Sequence, residues 1–587
     1  MRVLLKRLCL FIVSLNAAAA ELSWRMPALK ENAVPALNTG FEFDEETLRK
    51  GIHLEPAKPY EWVFAPAEKI SFHLFSDAKL RAGDVFLTAW NWNGDAVWQK
   101  QLCAPFDEQI SFSVEGRGTW LVTLDLFESG EFVSRLAKSF AVLPSNELKR
   151  NFWGMDGEFF LGSCLFPCRT GWTNSFGAMT PPGLTDRQTT QRELALDARL
   201  GLKIERFDND ALMLDNRSTA GFPADFSRLD SIADMISDAG LDLALQIIPL
   251  PWMTRKDYAD AGHAFWMSPP EPEAYSQLVQ QFLLRYSGRT AFMEIMNEPD
   301  NLHFWVGSGQ EYVNLFQTAL TARKSVRAAP RRLAPLLAGG MTPLKAPDVK
   351  SEEDPVKRAR MQEIVSGTID APYLSFHAHG TLERARKHME ILREMCTVAG
   401  KPDMPFVQTE GGICAWSLAN EKIQAITALQ KVLYAWANNT RGWLFYATRW
   451  HGGPRVQIPA KDGGTPAGWG YLDYYFCPRF AYGAIGAFAD VYAGAHFERK
   501  LAETDSFFVY EFSKGSDRLI SFFVLQSDAG PAPEKTISIR TVADRAELID
   551  AMGNIISTPA ERTITLTAGV YPQTLRLKNA TEAELVP

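Results

Sequence analysis

A chain of 587 residues is too long for one hydrophobic core and implies several domains. Its 46% hydrophobic and 22% charged composition is that of an ordinary globular protein. The formal charge of −8 becomes −11 once the three leader cations Arg2, Lys6 and Arg7 are set aside, and no basic tract compensates. A nucleic-acid partner is therefore excluded, since phosphate binding needs clustered Lys and Arg.

Residues 1–20 read as a signal peptide. Arg2, Lys6 and Arg7 precede an apolar run from Leu8 to Leu15, and Ala18, Ala19 and Ala20 form a small-residue cleavage site. The run is too short to span a bilayer, so an exported protein, periplasmic or extracellular, without a membrane span after cleavage is expected. Of the six cysteines beyond the leader only Cys164 and Cys168 are close, and the spacing dictates neither disulfides nor a zinc site.

Residues 21–148 show short alternating runs cut by turns, as in Asp84-Val-Phe-Leu-Thr-Ala-Trp and Thr119-Trp-Leu-Val-Thr-Leu. Asn93-Gly94 and Glu115-Gly116 read as hairpin turns, which makes this an N-terminal β-sandwich. Trp90, Trp92 and Trp98 are expected to fill its core or a domain contact rather than bind sugar. From about residue 149 to 494 the pattern becomes strand, helix, strand, repeated eight times. The predicted strands begin near Phe159, Leu202, Leu243, Ala291, Leu333, Tyr373, Pro405 and Gly442. Eight such units without a Gly-rich first turn predict an α/β fold built on a (β/α)₈ TIM barrel. Strands return over 495–587 as a C-terminal β-sandwich.

In such a barrel the chemistry sits just past the carboxyl ends of the strands. There the fourth strand runs into Asn297-Glu298-Pro299, with Glu298 expected to be extended before its proline. The seventh ends in Glu410-Gly411-Gly412, whose glycines are expected to turn the backbone sharply. The second strand ends at Arg206 and the sixth at His377 and His379. Two carboxylates facing a common mouth suit glycoside hydrolysis, one protonated to assist departure and one ionised to attack. Asn297 beside the acid would contact a sugar hydroxyl, and Arg206 would keep a carboxylate charged. Glu294 shares the parity of Glu298 and points into the barrel, paired with Arg206 or Lys203. His377 and His379 are read as contacts to sugar or nucleophile rather than as metal ligands, and Trp252 and Trp450 as possible sugar platforms.

Glu294-Ile-Met-Asn-Glu-Pro-Asp resembles the acid/base strand of clan A retaining glycoside hydrolases, most closely family 39 and its relatives. Leu200-Gly-Leu-Lys-Ile-Glu-Arg206 resembles their second strand, and Phe406-Val-Gln-Thr-Glu410-Gly their nucleophile strand. The resemblance covers about residues 150 to 492, with Asp550-Ala-Met-Gly-Asn similar to a turn of their trailing domains. It implies Glu298 as acid/base, Glu410 as nucleophile, a carbohydrate substrate and neither cofactor nor metal. The alternative is a non-catalytic carbohydrate-binding protein on the same barrel. Met296 stands where a Trp is usual, and His379 or Tyr373 replaces the usual tyrosine partner of the nucleophile. The platform of strand eight is Trp443 or Trp450.

Overall fold

The computed structural model describes residues 51–76, 84–103, 105–129, 131–167, 180–181, 183–216, 221–327, 332–344, 354–415, 418–449 and 468–586. The leader, Cys168 and Trp450 lie outside them. No disulfide joins the described cysteines. Among the described residues no helix is long and apolar enough to cross a membrane.

The N-terminal part is a two-sheet sandwich. Strands Ile52–Pro56, Ile70–Ser76 and Asp107–Phe112 form one sheet, and the other contains Asp84–Trp90, Ala96–Cys103, Gly118–Glu128 and Glu131–Val142. Alternating residues such as Phe72, Leu124, Phe112 and Phe140 meet between them. Asn93-Gly94 makes the expected hairpin, with Gly94 at φ 96. Glu115-Gly116 does not. The strand before it pairs with Ile70–Ser76 and the strand after it pairs with Asp84–Trp90, so this turn carries the chain between sheets. Turn residues signal a reversal without naming the strand's partner. Trp90 is buried and donates to Thr123 Oγ1, while Trp98 stacks on Phe112. Trp92 sits edge-on between Phe480 and Tyr571, at a junction between parts of the fold.

The barrel follows the predicted order. Its eight strands are Phe160–Cys164, Ile204–Phe207, Asp242–Ile247, Thr290–Ile295, Leu336–Ala338, Leu374–His377, Phe406–Gly411 and Thr440–Phe445. All neighbouring pairs are parallel, and the eighth returns to the first through Gly442 opposite Phe160. Strands five and six are joined by a bridge from Met341 to Phe376, which closes the ring. Period-two alternation builds the interior in layers. Phe160, Ile204, Ala244, Phe292, Val407 and Leu444 form an apolar plug, with Tyr373 packed beside it. Two residues further along their strands, Arg206, Gln246 and Glu294 form a polar layer above the plug. Desolvated polar groups need partners, so this layer must be a network.

The helix Phe480–Val491 is apolar almost all round because it lies at a three-way junction. A Cβ on Gly483 would come within 2.6 Å of the Thr119 backbone nitrogen in the N-terminal sandwich. The C-terminal sheets pack through Val509, Phe522, Ile539 and Leu575. Their Asp550-to-Asn554 turn docks back on the first sandwich, where Asn554 Oδ1 accepts from the Arg117 backbone at 2.7 Å and Asn554 Nδ2 donates to the Arg117 carbonyl at 3.0 Å.

Outside the barrel wall, Glu205 faces Asp197 of the helix Asp186–Leu200, and both are fully buried. Asp197 accepts from Thr448 Oγ1 at 2.6 Å and Tyr471 Oη at 2.5 Å. Burial pushes Asp197 up to about 7, and burial with Asp197 and Glu193 nearby pushes Glu205 well above the carboxylate range. A carboxyl whose folded value is raised holds its proton more tightly when folded. Its contribution to stability is therefore full at low pH and is lost as pH rises from the usual carboxylate range through about 7. Melting temperature is expected to fall between pH 5 and 8, and Glu205→Gln to flatten that fall. An unchanged slope in the variant would assign the pH dependence to other groups.

Candidate active site

Glu298 is presented by a turn that begins where strand four ends. Met296 and Glu298 have φ of 65 and 38. Glu298 is thus left-handed, where the following proline suggested an extended residue. Proline disfavours the right-handed helical region, and the turn takes the other way out. The strain of a non-glycine residue there is about 1–3 kcal/mol, and several contacts hold the turn against it. Asn301 Nδ2 donates to Glu298 Oε2 at 2.8 Å and the Asn301 backbone donates to the Glu298 carbonyl at 2.9 Å. Asp300, fully buried, accepts from Thr342 N at 3.1 Å and lies 3.3 Å from Lys357 Nζ, which ties the turn to the loop after strand five.

Glu410 lies at the end of strand seven, and its two glycines serve a purpose other than the expected one. Neither has a positive φ. A Cβ on Gly411 would meet Gln408 Nε2 at 2.3 Å and Trp443 at 2.5 Å, and one on Gly412 would meet the Tyr446 carbonyl at 2.2 Å. Glycine is required here for close approach, not for a reversed backbone.

Arg206 connects both acids to the polar layer. Its Nε donates to Glu294 Oε2 at 2.5 Å, Nη1 to Glu410 Oε1 at 2.6 Å and Nη2 to Asn297 Oδ1 at 3.1 Å. Gln246 Nε2 adds a 2.8 Å bond to the same Asn297 oxygen. Glu294 thus pairs with Arg206, while Lys203 pairs with Asp242. Burial opposes charge on the guanidinium, but Glu294 and Glu410 override it and raise Arg206 well above its ordinary value.

His377 stands between the two carboxyl groups. Its Nδ1 is 2.7 Å from Glu298 Oε1 and 3.6 Å from Glu410 Oε2, which puts those oxygens no more than 6.3 Å apart. Burial favours neutral imidazole, yet Glu410 and Glu298 raise His377 above its usual value. Burial would likewise raise the Glu410 carboxyl, but His377, Arg206 and then His379 hold it well below the usual carboxylate range. His379 Nε2 lies 3.5 Å from Glu410 Oε2, so His379 takes the place beside this acid and Tyr373 stays at the barrel floor.

Lys431 holds this loop from below, with Nζ donating to the carbonyls of Ala378 and Gly380, each at 2.9 Å. Burial lowers it to about 7. Trp469 and Tyr446 meet His379 edge-on, with centroids at 4.9 and 5.1 Å. Tyr446 follows strand eight directly and is an aromatic of the mouth that sequence reasoning passed over. Trp443, 1% exposed, is packed inside and offers no platform. Trp252 has Phe222 as its ring partner rather than a residue of the carboxylate cluster. Among the described residues, His377, His379 and Glu410 are the one grouping of metal-ligand type.

Fold and site together define a (β/α)₈ barrel protein flanked by two β-sandwiches, with an arginine-backed pair of carboxyl groups at the mouth. No family model and no curated protein matches the chain. Among solved structures it is similar to a family 39 glycoside hydrolase from the gut symbiont Bacteroides cellulosilyticus WH2. The TM-score is 0.62 at 16% identity, over 90% of this chain and 100% of that one, so the two share their fold almost throughout. An exo-β-1,4-mannosidase from Opitutaceae bacterium strain TAV5 aligns at TM-score 0.40 and 14% identity, over 60% of each chain, and is too distant to carry an argument.

Proposed function

We propose that the protein is a retaining glycoside hydrolase that cleaves β-glycosidic bonds of an oligo- or polysaccharide by double displacement. The observation that carries this reading is the separation of the two acids. With Glu298 Oε1 and Glu410 Oε2 no more than 6.3 Å apart across His377, the two acids are close enough for the about 5–5.5 Å spacing of retaining enzymes. Glu410, held ionised by Arg206 and the histidines, attacks the anomeric carbon. Glu298 gives its proton to the departing glycosidic oxygen.

A glycosyl ester on Glu410 results, and the aglycone leaves as an alcohol. Glu298, now ionised, takes a proton from water as that water attacks the same carbon, which frees Glu410 and restores the starting configuration. Asn297, oriented by Arg206 and Gln246, hydrogen-bonds a ring hydroxyl. His377 and His379 position the carboxyl groups, and Tyr446 and Trp469 offer apolar faces to the sugar. The leader supports export to the periplasm or beyond, where such a substrate is met.

Proton NMR of an aryl β-glycoside during hydrolysis tests the reading. The first reducing sugar released is expected to be the β anomer, with the α form growing in only by mutarotation. Initial release of the α anomer would overturn double displacement. Absence of turnover on a broad glycoside panel, with sugar still bound, would favour a non-catalytic carbohydrate-binding protein.

A further inference from the structure

We infer that the barrel mouth also binds a zinc-class divalent cation between His377, His379 and Glu410, and that the bound ion switches the site off. His377 is the last residue of strand six and His379 lies two positions on, a spacing that sends both side chains to one side of an extended chain. Glu410 comes from the neighbouring strand, whose register sets it opposite His377. The distances of 3.6 Å from His377 Nδ1 and 3.5 Å from His379 Nε2 to Glu410 Oε2 are close to the about 3.3 Å between neighbouring ligands of a tetrahedral zinc with bonds of about 2.0–2.1 Å. All three ligand atoms lie within 4.8 Å of one another.

Charge favours a cation here. Glu294 and Glu410 share one guanidinium, that of Arg206, Glu298 has only the His377 ring as its ion-pair partner among the described residues, and Glu294 Oε1 has no hydrogen-bond partner. Two imidazoles and a carboxylate suit zinc and its transition-metal neighbours, whereas magnesium and calcium want oxygen throughout. The site is not tightly built for metal. His377 Nε2 and His379 Nδ1 are buried without hydrogen-bond partners, so neither ring has the outer acceptor that normally orients a zinc-bound histidine. Loss of such support weakens binding by about 10–100-fold, which points to micromolar affinity and reversible occupancy rather than a resident ion. Coordinated through Oε2, Glu410 could not attack a sugar, and Glu298 would lose its 2.7 Å partner on His377 Nδ1. The inhibition rests on Glu410 being the nucleophile. The binding does not.

Calorimetric titration of zinc chloride into the full-length, tag-free protein tests this, with chelator competition as a second measurement. One equivalent is expected to bind at micromolar concentration, and magnesium and calcium not to bind. His379→Ala and His379→Gln are each expected to weaken zinc binding about tenfold or more. His73→Ala and His496→Ala, at exposed His–carboxylate pairs, are expected to leave it unchanged. Binding only at millimolar zinc, or equal affinity in the His379 variants, overturns the site. Zinc binding with undiminished hydrolysis of a substrate overturns the switch. Zinc binding that depends on His379, in a protein with no glycosidase activity, upholds the site and rejects the catalytic reading instead.

Discussion

Glu410→Gln is expected to abolish turnover of every glycoside while leaving the fold and sugar affinity in place. The amide is nearly isosteric and still accepts from Arg206 Nη1, which approaches Oε1 at 2.6 Å, but it cannot form the glycosyl ester. Removing a group that acts only through covalent chemistry lowers kcat and kcat/KM together, here by about 10³-fold or more. Glu298→Gln should behave differently because its role depends on the leaving group. With a poorly acidic alcohol as aglycone the loss is about 10²–10⁴-fold, the usual scale of general acid catalysis. With a dinitrophenyl aglycone, which departs without a proton, the first step should be nearly untouched and the glycosyl-enzyme should accumulate as an initial burst. Steady-state assays on both substrates, with mass spectrometry for the ester on Glu410, decide the matter. An equal loss of kcat/KM on both substrates in Glu298→Gln would remove Glu298 from the acid role, and residual wild-type-like rates in Glu410→Gln would remove Glu410 as nucleophile.

Much of this site was legible because strand-end chemistry depends on order along the chain. Once eight strand-helix units are counted, the residue just past each strand is a short set, and Glu298, Glu410, Arg206, Asn297, His377 and His379 come together as expected. Parity alone placed Glu294 inside. What stayed illegible depends on register and on contacts across the barrel. Gln246 lies within strand three and looks like an ordinary buried polar residue until strand four brings Asn297 to it. Strand eight could have offered Trp443 to the mouth, but pairing of Gln408 with Trp443 and the close fit of Gly411 place that ring inside, leaving Tyr446 at the end. The left-handed backbone of Glu298 follows from how its turn is held, by Asn301 and by Asp300 on Thr342, and no local preference announces it.

Arg206 is the residue whose loss should be felt in both stability and rate, and the two can be separated. Arg206→Met keeps the apolar stem but leaves Glu294 buried without its ion-pair partner and Glu410 with the two histidines alone. Breaking a buried ion pair from one side costs about 3–5 kcal/mol, so the barrel should unfold at clearly lower denaturant concentration. Arg206→Lys keeps the charge yet still fails, because three separate nitrogens are used, Nε toward Glu294, Nη1 toward Glu410 and Nη2 toward Asn297, and an ammonium on a flexible stem cannot reproduce that fork. A displaced nucleophile and a freed Asn297 should lower kcat/KM by about 10²-fold even in this charge-conserving variant. Adding Glu294→Gln to Arg206→Met removes one of the stranded charges and should recover a large part of the lost stability, the coupling expected of residues in one network. Activity should not return with it, because Glu410 still lacks its 2.6 Å partner. Denaturant curves for the four members of this cycle, read beside their kcat/KM values, test the division. Recovery of both stability and rate in the double variant would show that Arg206 serves the barrel alone, and recovery of neither would show that Glu294 is not the charge that Arg206 chiefly compensates.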